Sequence, residues 1–211
     1  MKFVAVLSGG MDSGVAMAKA LQEGSIELAL TFDYGQMAAK KEIEYAGKLC
    51  KYYGVAHKVI ELPWLANLSS GLTEGRIPEV SEEILEAVAE ETAKAVWVPN
   101  RNMVFISIAA AFAESMGCNA VVVGFNGEEA QTFPDNSEEF VKAMNDALRI
   151  VNGVSVYAPL IKLDKTEIVK LGMSMNFPFE LTWSCYYSYD EPCGKCESCV
   201  RRQRAFRALQ K

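Results

Sequence analysis

Apolar positions along the chain change period repeatedly, and the changes predict the elements. Phe3–Leu7 is an unbroken apolar run of strand length, the pattern of a strand buried on both faces. Ser8-Gly9-Gly10-Met11-Asp12-Ser13 interrupts it, and Gly14–Glu23 then reads as a helix. A second strand is expected at Glu27–Asp33. In Lys40–Tyr53, residues Ile43, Ala46, Leu49, Cys50 and Tyr53 recur at helical spacing, and Gly54 stops the helix. Lys58–Leu62 and Ala120–Gly124 read as two further strands. Between them, Pro63–Val80 reads as loop, and Ser81 as the cap of an acidic helix reaching about Val96. Asn102–Met116 is apolar almost all round, which predicts a buried helix. Helices are also expected at Ser137–Val151, Asp164–Leu171 and Val200–Leu209. Strands alternating with helices imply an α/β fold: a doubly wound, mostly parallel, Rossmann-like sheet covered on both faces.

A length of 211 residues suits one domain with a small appendage, here an α/β domain over 1–180 and a module over 181–211. The longest uncharged central run, Asn102–Ala113, is 12 residues, short of the ~20 that cross a bilayer. The start runs straight into a Gly-rich turn without a signal-peptide cleavage pattern, so a cytoplasmic protein is expected. A net charge of −6 argues against a general nucleic-acid binder. The seven Glu between Glu74 and Glu91 read as a solvated outer face. His57 is the only histidine, which excludes a histidine-rich metal site and leaves little room for a Ser-His-Asp relay. It reads as a loop or strand residue.

The segment Ser8–Ser13 lies between a first strand and a first helix, where doubly wound folds bind anions. Two adjacent glycines let the backbone turn sharply and expose successive N–H groups, and Ser8 and Ser13 add hydroxyls. Asp12 is out of place in a pure anion nest but fits a Mg²⁺ accompanying phosphates. The segment has neither the Gly-Lys-Ser/Thr ending of a Walker loop nor Gly-x-Gly-x-x-Gly.

Four of six cysteines, Cys185, Cys193, Cys196 and Cys199, fall within 15 residues. Four clustered thiolates suit a closed, structural Zn²⁺ site, with an Fe–S cluster or a redox Cys-x-x-Cys pair as rivals. Cys50 and Cys118 read as packed side chains. Arg201, Arg202, Arg204, Arg207 and Lys211 admit an RNA contact. The +3 charge of residues 181–211 drops to about +1 once four thiolates hold Zn²⁺, however, which favours a plain terminal helix.

Ser8–Ser13 resembles the loop of the ATP pyrophosphatase superfamily, and within it the chain resembles the 7-cyano-7-deazaguanine synthase family. The resemblance runs through Phe32-Asp33-Tyr34-Gly35-Gln36, Val98-Pro99-Asn100-Arg101-Asn102, Phe133-Pro134-Asp135, Leu163-Asp164-Lys165-Thr166-Glu167 and Thr182-Trp183-Ser184-Cys185. It departs from the family pattern at Met37-Ala38, Asn100 and Asn136. The resemblance implies an adenine nucleotide alpha hydrolase-like fold. It implies ATP contacts from Leu7, Ser8, Gly9, Gly10, Met11, Asp12, Ser13, Gly14, Val15, Ala16 and Met17. Asp12, Lys165 and Arg101 become catalytic candidates, and Arg101, Asn102, Phe133 and Asp135 substrate-binding candidates. The four clustered cysteines become Zn²⁺ ligands. The implied reaction belongs to queuosine biosynthesis: ATP-dependent conversion of 7-carboxy-7-deazaguanine and ammonia to 7-cyano-7-deazaguanine, through adenylated carboxylate and amide. Its partners are small molecules, not nucleic acid or membrane, and a homodimer is left open. Two alternatives stand beside it: a tRNA-thiolating enzyme of the same superfamily, and a non-enzymatic zinc interaction module.

Overall fold

The computed structural model describes residues 1–68, 72–73, 77–151 and 153–210; Glu74 and Lys211 lie outside them. Five parallel strands form one sheet in the order β3-β2-β1-β4-β5. They are β1 (Lys2–Val6), β2 (Ser25–Asp33), β3 (His57–Glu61), β4 (Ala120–Val122) and β5 (Ser155–Tyr157). The fifth strand was not expected from the sequence. It is three residues long with only Val156 buried, too short to show a period.

Side chains alternate across the sheet as strand geometry demands. Phe3, Ala5 and Leu7 face one way and pack with α1 (Met11–Leu21), α2 (Ala39–Tyr53) and α6 (Lys165–Ser174). Val4, Leu30, Phe32 and Val121 face the other way, toward α4 (Arg101–Ser115) and α5 (Glu138–Val151). Phe3, Val4 and Leu7 are wholly buried, each worth about 1.5–3 kcal/mol of apolar transfer. The result is a three-layer α/β/α body, the doubly wound fold the strand–helix alternation predicts.

Helix boundaries differ from expectation in three places. α1 begins at Met11, not Gly14, so Asp12 and Ser13 sit in its first turn. The acidic helix α3 spans Ala89–Val96, and residues 82–88 are turns, so Ser81 caps nothing. The terminal helix α7 spans Glu197–Arg207, with Cys196 at its N-cap. α4 is also less buried than its composition suggests. Ile106, Ala109, Ala110 and Ala113 are inside, while Met103 remains 44% exposed.

The acidic stretch is not a plain solvated face either. Glu82 pairs with Arg207, Glu86 with Arg204 and Glu79 with Lys195. Among the described residues, no helix is long and apolar enough to cross a membrane.

Candidate functional site

A parallel sheet with this strand order has its topological switch between β1 and β4, and ligands bind outside the carboxyl ends of those strands. A cavity of about 270 Å³ opens there, lined by Leu7, Ser8 and Gly10 after β1 and by Val123, Gly124 and Phe125 after β4.

The turn after β1 is held from every side. Leu7 N–H donates to Leu30 O at 2.8 Å, and Thr31 Oγ1 donates to Leu7 O at 2.7 Å while meeting His57 Nε2 at 2.8 Å. Ser8 N–H donates to Ser13 Oγ at 3.2 Å, and Ser8 Oγ lies 3.0 Å from Ser13 Oγ. Gly9 has φ +74°, and a Cβ there would stand 2.5 Å from Glu42 O. On the opposite side, a Cβ on Gly124 would stand 2.6 Å from Ser13 N. Only glycine fits at both places.

Asp12 projects from the first turn of α1 into a charged cluster. Lys165 Nζ donates to Asp12 Oδ2 and, at 2.5 Å, to Glu129 Oε1. Asn126 Nδ2 donates to Asp12 Oδ2 at 3.4 Å. Asp12 Oδ1 is buried without a partner. Burial pushes the Asp12 carboxyl up, and Lys165 opposes the shift. Burial acts to lower the Lys165 pKa, but Asp12 and Glu129 outweigh it and hold the ammonium charged. Two carboxylates against one ammonium leave this cluster one charge negative, with Asp12 Oδ1 still to be satisfied and Glu129 33% exposed.

Across the cavity, Arg101 Nη1 donates to the Tyr34 hydroxyl at 3.0 Å. Asn102 and Phe133 line the same space, and Asn102 Nδ2 donates to Asp135 O at 3.3 Å. Asp135 itself is not among the lining side chains; its carboxyl is pushed up by burial and pulled down by Arg101. Of the residues expected to meet ATP, Leu7, Ser8, Gly10, Met11, Asp12 and Ser13 line the cavity, whereas Gly9, Gly14, Val15, Ala16 and Met17 stand behind it.

The C-terminal module closes the cavity's other wall. The sulfurs of Cys185, Cys193, Cys196 and Cys199 lie within 4.8 Å of one another. A tetrahedral metal with ~2.3 Å metal–sulfur bonds places sulfurs roughly 3.8 Å apart, so the set can close on an ion with small adjustment. Cys185 Sγ accepts N–H bonds from Tyr187 and Cys193 at 3.4 Å, and Cys193 Sγ accepts one from Cys196 at 3.3 Å, contacts that suit thiolates. Trp183 N–H donates to Gly9 O at 2.9 Å, tying this module to the glycine turn.

Sequence reasoning missed three groups that line the same space. The first is Tyr34, Gln36 and Glu42. The second is Tyr186, Glu197 and Arg201, with Arg201 Nε donating to Glu197 Oε1 at 2.7 Å. The third is Arg202, bonded among the described residues only to Thr182 Oγ1 (2.7 Å), Ser184 Oγ (3.3 Å) and Phe179 O (2.9 Å). An arginine held by neutral acceptors keeps its charge for something else, and the step of three from Cys199 was its one visible signal.

Comparison with known proteins gives a consistent picture. The chain is 52% identical to a 7-cyano-7-deazaguanine synthase of Methanosarcina barkeri, over 98% of this chain and 94% of that protein. It is 49% identical to the synthase of that name from Methanothermobacter thermautotrophicus, over 98% and 94%. The fold is similar to that of the NMN synthetase of Francisella tularensis, at 16% identity and a TM-score of 0.53, covering 91% of this chain and 70% of that one. Residues 2–210 match the family described as queuosine biosynthesis protein QueC, and the chain belongs to that family.

Proposed function

We propose that the protein converts 7-carboxy-7-deazaguanine to 7-cyano-7-deazaguanine using ATP and ammonia. The observation that carries this reading is near-full-length identity of about half to synthases of that name, joined to a glycine turn that opens on a cavity of about 270 Å³. A carboxylate resists ammonia because its oxygen leaves poorly. Transfer of AMP to that oxygen turns it into a good leaving group, and pyrophosphate departs. Ammonia then displaces AMP to give the amide. Adenylation of the amide oxygen by a second ATP, with loss of a second pyrophosphate, lets AMP leave as two protons are lost and the nitrile forms.

The chain's part in these steps is positioning and charge neutralisation. Leu7, Ser8, Gly10, Met11, Asp12 and Ser13 receive the ATP phosphates at the N-terminus of α1. Gly9, Gly14, Val15, Ala16 and Met17 shape that turn from behind. Lys165 and Arg202 supply positive charge toward the phosphates. Arg101 and Asn102 receive the substrate, with Phe133 against its ring. Asp135 acts on the substrate only through its field on Arg101. The orphaned Asp12 Oδ1 is the oxygen that would hold Mg²⁺, which prefers a carboxylate plus phosphate oxygens.

Cys185, Cys193, Cys196 and Cys199 would hold a structural Zn²⁺, since four thiolates leave no open position. Reduced thiolates also suit a cytoplasmic protein. Pairing of Arg201, Arg204 and Arg207 with Glu197, Glu128, Glu86 and Glu82 leaves little free basic surface for RNA, which argues against a tRNA-thiolating role. Incubation with ATP, Mg²⁺, ammonium and 7-carboxy-7-deazaguanine, followed by mass spectrometry, should show the nitrile and AMP. Absence of both, from protein that holds its metal, would overturn the reading.

A further inference from the structure

The turn after β2 and the start of α2 carry a carboxylate that none of these steps employs. Gly35, at φ +84°, turns the chain so that buried Gln36 faces back on the strand. Gln36 Oε1 accepts from Tyr34 N–H at 2.9 Å. Its Nε2 donates to Phe32 O at 3.0 Å and to Glu42 Oε2 at 2.7 Å. Both amide protons are committed, so the amide orientation is fixed and Glu42 is presented as an acceptor.

Among the described residues, Gln36 is the only hydrogen-bond donor to the Glu42 carboxyl. Burial pushes that carboxyl up, against the Gln36 bond and the more distant charge of Arg101. Arg101 spends a guanidinium donor on Tyr34. Glu42 therefore turns toward the cavity with one oxygen free and lone pairs remaining on the other. Beside it, Phe32 and Phe105 stand parallel with centroids 4.0 Å apart, and both rings line the cavity.

A carboxylate in such a place is stabilised by a ligand that brings adjacent N–H donors. A guanine-type edge presents two side by side, the ring N1–H and the 2-amino group. Adenine offers one amino group flanked by acceptor nitrogens, which a carboxylate repels. We infer that Glu42 selects the deazaguanine by accepting from its ring N–H and 2-amino group, held in position by Gln36. This inference rests on the function proposed above and assigns the base-reading role to Glu42 instead of Asp135.

The experiment uses the metal-loaded protein. Calorimetry and steady-state kinetics are run with 7-carboxy-7-deazaguanine, with its analogue carrying hydrogen in place of the 2-amino group, and with ATP. In the wild type the analogue should lose about 100-fold in kcat/KM. Glu42→Gln should lose about as much toward the natural ring, chiefly in KM, and should no longer distinguish the two rings. ATP affinity should stay within about twofold. Glu42→Asp, which retains charge but withdraws it, should fall between. Equal use of both rings by the wild type overturns the assignment without any variant. So does discrimination that survives in Glu42→Gln, or a loss of ATP affinity matching the loss for the deazaguanine. Those outcomes leave the proposed reaction standing. A wild type that binds no deazaguanine at all removes both the reaction and the assignment.

Discussion

Two clusters of buried charge flank the cavity, and they differ in completeness. In the first, Asp12, Glu129 and Lys165 leave Asp12 Oδ1 without a partner and the set one charge negative. In the second, Arg201 and Arg204 meet Glu197, Glu128 and Glu86, and the Tyr186 hydroxyl donates to Glu197 Oε2 at 3.1 Å. The second cluster, two arginines against three carboxylates, is one charge negative as well, but its extra carboxylate Glu86 is 66% exposed. Among the described residues none of its buried polar atoms lacks a partner, and it joins the cysteine module to the loop after β4. It is built to hold. The first is costly as it stands, because a buried acceptor lacks its donor, and such incompleteness is what a phosphate-bound cation or a substrate would relieve. Removing residues from the two clusters should therefore give opposite signatures: lost stability from one, lost turnover from the other.

The largest effect should come from removing the frame that carries the holding cluster. Cys196 is both a prospective metal ligand and the N-cap of α7. Cys196→Ser should lose the metal and, with it, the position of α7, because metal binding at such sites is coupled to folding. Metal analysis should give one Zn²⁺ per wild-type chain and little in the variant, with turnover abolished. Iron with inorganic sulfide in the wild type would instead mark a cluster protein.

Next comes Arg201→Ala. Its side chain is 8% exposed, and its loss would leave Glu197, also 8% exposed, without a cation among the described residues, while Glu128 keeps Arg204. Breaking a buried pair in this way costs about 3–5 kcal/mol, readable as a fall in the denaturant midpoint with an unchanged slope. A neutral result would mean that this network does not brace the module.

Asp12→Ala should do the reverse. Lys165 keeps Glu129 as a partner, and a carboxyl that burial disfavours is gone, so stability should hold or rise slightly. Turnover should fall about 100- to 1000-fold, the scale for losing one preorganised charge-stabilising group. Undiminished turnover would remove Asp12 from the reaction.

The incomplete cluster was partly legible in the sequence, and the complete one was not. Ser8–Ser13 shows itself because a phosphate turn needs particular residues in succession, and Cys185–Cys199 because metal ligands cluster. Arg201 meets Glu128 across 73 positions and Arg204 meets Glu86 across 118; no local period reports such pairing. Glu42 escaped notice because helical spacing places it among the exposed charges of α2. Only the Gly35 turn brings Gln36 against it. The same limit explains β5, whose identity comes from pairing with β4 and not from its own three residues.

The smallest effect should come at the outer edge of the holding network, where Arg207 reaches Glu82. The contact has the same chemistry as Arg201 with Glu128, but the side chains are 56% and 41% exposed. Water already solvates both groups, so losing the partner strands no buried charge, and salt screens what attraction remains. Arg207→Ala should therefore cost about 0.5 kcal/mol or less, and the difference from wild type should vanish near 1 M salt. Arg201→Ala should keep most of its deficit under the same salt, because its partners are shielded from the solvent ions. Measuring both variants at low and high salt separates charge count from burial as the origin of the network's strength. A deficit in Arg207→Ala that equals that of Arg201→Ala, or that persists in high salt, would show that the turns over 82–88 depend on this contact and that the bracing extends to the surface.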